Sequence, residues 1–143
     1  MKNDNHNLER FVDAQKEIYD IALKEIKSGG KYTHWMWFIF PQITGLGSSY
    51  SAQKFAISSV KEAKAYMGHP ILRARLLECG KAILALPVEI CPDFLGYTDS
   101  LKLHSSMTLF AIASPEHKVF QAVIDKFYNG EVDKKTIDIL NSR

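Results

Sequence analysis

Cysteine is scarce in this 143-residue chain: Cys79 and Cys91 are the only two, eleven residues lie between them, and they form no C-x-x-C pair. That scarcity argues against a disulfide-dense secreted scaffold, although whether the two ever bond is not fixed by spacing alone. Cys79 falls within a helical apolar pattern and is expected to be a small core residue. Long apolar runs are missing too. The longest is the six residues Trp35–Phe40, far short of the ~20 needed to span a bilayer. The polar start Met1–Asn7 has no apolar stretch of the signal-peptide kind. A reduced, cytoplasmic protein is the expectation.

Charge of one sign is lacking as well. The formal net charge is +2, too small for a nucleic-acid or membrane-surface binder. Lys24, Lys27, Lys61, Lys64, Lys134 and Lys135 are interleaved with Glu25, Glu62 and Asp138, the pattern of solvated helix faces. Arginine, the favoured reader of bases, occurs only four times. His6, His34, His69, His104 and His117 show no metal-ligand spacing, and the acids form no calcium loop. Neither a metal nor a cofactor is expected. No stretch alternates apolar and polar residues as a half-buried strand would.

What is present reads as helices with clear punctuation in one domain over residues 1–143, residues 1–6 forming a flexible tail. Apolar residues make up 46% and charged residues 24%, so a chain of this length can bury an ordinary core. Asn7 is expected to cap a first helix carrying Phe11, Ile18, Ala22 and Ile26, ended by Gly29-Gly30. Ser59 and Glu62 form a capping box ahead of Val60, Ala63 and Met67. Pro70 suits a first helical position, with Leu72, Leu76, Cys79 and Ile83 on one face and Pro87 at the end. Asp99 is expected to cap a helix over Leu101–Ala113. Ser114-Pro115-Glu116 then starts a helix whose Val119, Phe120, Val123, Ile124 and Phe127 face inward, and Asp133 caps a short final one.

Two blocks stand out. His34–Gln42 holds both tryptophans and two of the eight phenylalanines. Its Trp35–Phe40 run suits a short helix between Thr33 and Pro41, with a buried strand as the alternative. Two tryptophans two positions apart cannot share one helical face, so one is expected to leave the main core unless both pack inside it. Asp99–Phe110 places Lys102, Ser105, Ser106 and Thr108 in an otherwise apolar run. These residues either line a pocket or do structural work: Asp99 capping, Lys102 in solvent, hydroxyls bonding back to carbonyls. Between the blocks, Gly45–Ser51 is a connector or an anion-binding loop through Ser48 and Ser49, without the pattern of a P-loop.

His34–Gln42, His69-Pro70 followed by Arg75-Leu76, and Lys102–Phe110 together resemble the uncharacterised family numbered 1810 among the domains of unknown function. The resemblance runs from Leu8-Glu9-Arg10-Phe11 to Leu140. It implies a compact, mainly α, single-domain multi-helix bundle of chiefly bacterial proteins, with the aromatic segment in or near the core. Arg73 stands where the family pattern has glycine, a change expected to alter only a surface. No reaction is established for the family, so no catalytic residue carries over. Some members bear the label calpastatin, whose disordered inhibitor repeats this chain does not contain.

Two functions are consistent with these blocks. One is a pocket for a small polar or nucleotide-like metabolite: Trp35 or Trp37 against a ring, Lys102, Ser105, Ser106, Gln42, Ser48 and Ser49 holding polar parts, His34 moving a proton. The layout is loosely similar to a mostly helical family acting on ADP-ribose derivatives, with no aligned motif. The other is a non-catalytic interaction module with the aromatic block as its patch. Convergence of His34, Gln42, Lys102 and Ser105 in one hollow would favour the first. Oligomeric state is not legible.

Overall fold

A computed structural model describes residues 6–89 and 93–142. Among them the chain forms nine α-helices and one 3-10 turn, Asp93–Leu95. The first half contains α1 (Glu9–Gln15), α2 (Tyr19–Ser28), α3 (Met36–Ile39), α4 (Tyr50–Lys54) and α5 (Val60–Gly68). The second half contains α6 (Pro70–Leu84), α7 (Tyr97–Ala113), α8 (Val119–Phe127) and α9 (Lys134–Asn141). No strand occurs among the described residues; the single β-bridge joins Ile43 to Ile57. None of these helices is long and apolar enough to cross a membrane.

The helices close round one core, with α7 at its centre and α3, α5, α8 and α9 packed against it. From Leu103 to Phe110 only His104 of α7 is not buried. A helix apolar on all sides behaves this way. An aromatic chain ties the layers together: Phe11 of α1 meets Tyr66 of α5 edge-on at 5.1 Å, Tyr66 meets Phe110 of α7 at 5.3 Å, and Phe110 meets Phe120 of α8 at 5.8 Å. Such contacts add about 0.5–1.5 kcal/mol each beyond the area they bury. The α6 face expected from sequence, Leu72, Leu76, Cys79 and Ile83, is wholly inside. Burial pushes the Cys79 thiol up to about 12, so it stays protonated and inert. Cys91 lies outside the described residues.

Several boundaries differ from the sequence expectation. The first helix is broken at Lys16–Ile18, where tightened turns (Lys16 N–H to Asp13, Ile18 N–H to Gln15) redirect the chain. As a result α1 packs on α3 while α2 packs on α6. Asn7 does not cap through its side chain. It takes a left-handed conformation, φ 50°, and offers its carbonyl to the backbone and guanidinium of Arg10. The carbonyl of His6, in the segment expected to be a loose tail, accepts from Arg10 as well. Ser59 accepts from the Glu62 N–H as expected, but Glu62 bonds Ser58 and Arg10 instead of returning to Ser59. Helix α7 starts two residues before Asp99, with Gly96 at its cap in a φ of 88° that favours glycine. Ser114–His117 is a turn between helices, and α8 begins only at Val119. Arg73 is half-buried and donates to the Met67 carbonyl. His69 accepts from Leu72 N–H, and Asp133 accepts from Thr136 N–H, as helix caps.

Two buried polar features differ in how they are satisfied. Glu62 is paired at 2.8 Å with Arg10, whose remaining N–H groups go to four backbone carbonyls. Ser106, fully buried, has no partner for its hydroxyl among the described residues. Glu62→Ala is expected to cost about 3 kcal/mol in denaturant unfolding, because it removes the counter-charge of the partly buried Arg10 and an acceptor of the Ser58 amide. Ser106→Ala is expected to raise stability by about 1 kcal/mol by removing an unsatisfied hydroxyl. Loss of stability in that alanine variant would mean that the hydroxyl is bonded in solution.

Candidate functional site

The geometry of the site begins with one carboxylate. Asp99, in the first turn of α7, holds Lys31 at 3.0 Å with one oxygen and Lys102 at 3.1 Å with the other. Each ammonium also lies over an indole: Lys31 is 4.9 Å from the ring centre of Trp35, and Lys102 is 3.9 Å from that of Trp37. Desolvated cation–π contacts of this kind contribute up to about 2 kcal/mol. Trp35 caps α3 and Trp37 is two residues on, a spacing that sends the two side chains in different directions. Trp35 is 0% exposed and Trp37 half-buried.

Trp35 is anchored from behind. Its Nε1 donates to Glu25 at 2.9 Å, and Glu25 also accepts from the amides of Tyr32 and Thr33 and from the Thr33 hydroxyl. Desolvation by itself would raise the Glu25 carboxyl. The bonds from Thr33, Trp35 and Tyr32 override it and hold the group at about 2. The indole of Trp35 is therefore committed to the core.

Trp37 borders a cleft of about 470 Å³ between the α3–α4 segment, α7 and α9. Gln42 and Leu46 line it beside Trp37; Thr98, Leu101, Lys102 and Ser105 come from α7; Asp133, Lys134, Lys135 and Asp138 come from the last helix. Gln42 is pinned by its backbone: its carbonyl accepts from Ile57 N–H at 2.8 Å, next to the Ile43–Ile57 bridge. Its side chain is 6% exposed, and Nε2 has no hydrogen-bond partner among the described residues. Such a donor is costly to leave unpaired.

Four of the residues singled out from sequence thus meet at one hollow: Trp37, Gln42, Lys102 and Ser105. The others lie elsewhere. His34 is exposed and does not line the cleft. Ser106 points into the core. Ser49 caps α4 by accepting from Ala52 N–H, and Ser48 offers its carbonyl to Gln53. The glycine loop packs against the indole. A Cβ at Gly47 would sit 2.8 Å from that of Ala52 and 3.3 Å from the Trp37 ring, so glycine is required there. Ser105 lines the cleft but bonds Asp133 at 2.7 Å and the Leu101 carbonyl at 3.1 Å. A hydroxyl spent this way fastens α9 to α7 and is not poised as a nucleophile.

Sequence reading missed the contribution of α9. Asp133 was expected only to cap, and Lys134 and Lys135 only to face solvent. Asp133 does cap, but the bonds from Ser105 and from its own amide to Thr108 dock the helix end against the cleft. Nothing in the α9 pattern distinguishes a lysine beside a hollow from one in open water.

A sequence profile described as "Protein of unknown function (DUF1810)" matches residues 5–140. Among solved structures, the chain is similar to the conserved hypothetical protein Rv1873 from Mycobacterium tuberculosis. The two are 42% identical with a TM-score of 0.91, over 96% of this chain and 99% of that one. No curated protein matches.

The Glu25 anchor has a consequence for acid stability. Its folded value lies below the ordinary 4.5, so its contribution is complete above that pH and is lost as the pH falls from about 4.5 towards 2. Denaturant unfolding over this window is expected to show the native protein losing more stability than Glu25→Gln. Parallel losses in both proteins would refute the anchor.

Proposed function

Because the chain belongs to the DUF1810 family, whose description names no reaction, its role has to be read from its own cleft, and we propose that this cleft binds a small polar metabolite with a flat, nucleotide-like part. The observation that carries the proposal is Gln42. A buried amide donor without a partner, on the wall of a hollow, is a feature that binding proteins use to orient a ligand and that a solvated surface does not need. Leu46, Leu101 and the uncovered part of Trp37 supply apolar area for a ring. Lys102, Lys134 and Lys135 supply donors, and Asp138 an acceptor for hydroxyls.

The reading is one of binding, with no proton transfer assigned, since His34 lies outside the cleft. We place it in the reducing cytoplasm, where an unpaired Cys79 is at home. The interaction-module alternative draws less support. The block's largest face, Trp35, is inside, and Trp37 lines a concavity, not a convex patch.

Thermal unfolding tests the proposal with adenosine, AMP, NAD and ADP-ribose at millimolar concentration. A ligand at ~100 times its dissociation constant adds ~2.7 kcal/mol. Gln42→Leu is expected to abolish that gain while leaving the unliganded protein as stable as before or more so, because the substitution removes an unsatisfied group. Absence of any shift with the whole set would defeat the reading.

A further inference from the structure

Three lysines and two aspartates line the cleft, and their state of pairing differs. Asp133 Oδ2 accepts from the Ser105 and Thr136 hydroxyls and the Thr136 amide, so that oxygen is saturated by neutral donors. Asp138 stands one turn from Lys134 and Lys135 on α9 and can balance one of them. Lys102 is different. Its carboxylate, Asp99, is shared with Lys31, and one carboxylate neutralises one ammonium. Lys31 has the stronger claim on it. The Lys31 side chain is the more buried, 9% exposed against 19%, and it also donates to the Thr33 carbonyl.

The Lys31–Asp99–Lys102 triad therefore keeps one positive charge in excess, and the partner that Lys102 shares is the one Lys31 holds more firmly. Across the cleft, beside Trp37, Gln42 lines the same hollow with an enclosed amide donor that has no partner among the described residues. A half-desolvated cation without a full counter-charge is stabilised by an anion more than an exposed lysine would be. A neutral N–H donor lining the same cleft can satisfy a second oxygen of a group bound there.

We infer that the cleft is an oxyanion site, in which a phosphoryl or carboxylate group of the ligand completes the charge balance of Lys102 and accepts from Gln42 Nε2. This rests on the binding reading above and names the chemical class of the ligand's polar end. Both sources of oxyanion share the recognition chemistry. A phosphoryl group offers more acceptor oxygens to the lysines of α9 that line the same cleft.

The test uses the full chain, isotope-labelled, with sodium phosphate and separately sodium acetate titrated against sodium chloride at matched ionic strength. The reporters are the indole N–H signal of Trp37, one of only two in the protein, and the side-chain amide of Gln42. Saturable shifts at both are expected with at least one of the two anions, and which one acts distinguishes the sources. Lys102→Met is expected to weaken that binding at least tenfold. Lys24→Met, which removes the same charge from the exposed face of α2, is expected to leave it within twofold. Should the methionine variant fold poorly, Lys102→Gln makes the same measurement. Shifts no larger than with chloride, or equal loss in both methionine variants, would overturn the oxyanion site. Adenosine separates the two readings: if it perturbs Trp37 and Gln42 while neither anion does, the cleft still binds ligands and only the oxyanion assignment falls.

Discussion

Between Leu103 and Phe110 α7 is enclosed, and the partners that Ser105 and Thr108 find there organise the second half of the molecule. Thr108 accepts from the amide of Asp133 and donates to the carbonyl of His104; Ser105 donates to the carboxylate of the same aspartate. His104 stacks flat on Tyr128 at 4.1 Å and meets the carbonyl of Glu131. The segment after α8 is thus drawn along α7, and α9 starts where these bonds leave it. The cleft is the gap that remains between that docked helix end and the aromatic block.

On its other flank α7 meets charge instead of hydroxyls. Asp99 ties it to the loop after α2, and the two lysines it holds each cover an indole. One tryptophan is thereby sealed into the core and the other turned to a cavity, although they are neighbours in sequence. Lys31 and Trp35 belong to the structural side of this pairing, with Glu25 behind them. Lys102 and Trp37 border the cleft. The same residue types in the same contact thus stand against the core in one pair and against a hollow in the other.

Much of the fold was legible beforehand because burial on a helix repeats along the chain. The α6 face and the Ser59, Pro70 and Asp133 starts follow from local spacing; the aromatic block, which is continuously apolar and fits a helix or a buried strand, does not, and it forms the short α3 with Thr33 bonded to Glu25 instead of capping it. The start of α7 was misplaced because Asp99 is a good cap by type, while Gly96 could take the backbone angle needed and left the aspartate free for two lysines. The break after Gln15 was missed for a similar reason. The apolar period continues through it, and only packing against two different partners requires the bend. Gln15 itself bonds the Phe38 carbonyl and Tyr66 and accepts from Arg75, contacts invisible to any local pattern.

The sequence by itself determined that this is a helical protein with a crowded aromatic segment and a second block of hydroxyls and a lysine, because helix periodicity and capping depend on residues three or four apart. Only the tertiary structure decided that Trp37 and not Trp35 borders a hollow, that the Ser105 hydroxyl is occupied while the Gln42 amide nitrogen finds no partner among the described residues, and that Lys134 and Lys135 share the wall. Those outcomes turn on which groups from distant segments exhaust one another's hydrogen-bonding capacity and charge, and that accounting exists only once the chain has closed on itself.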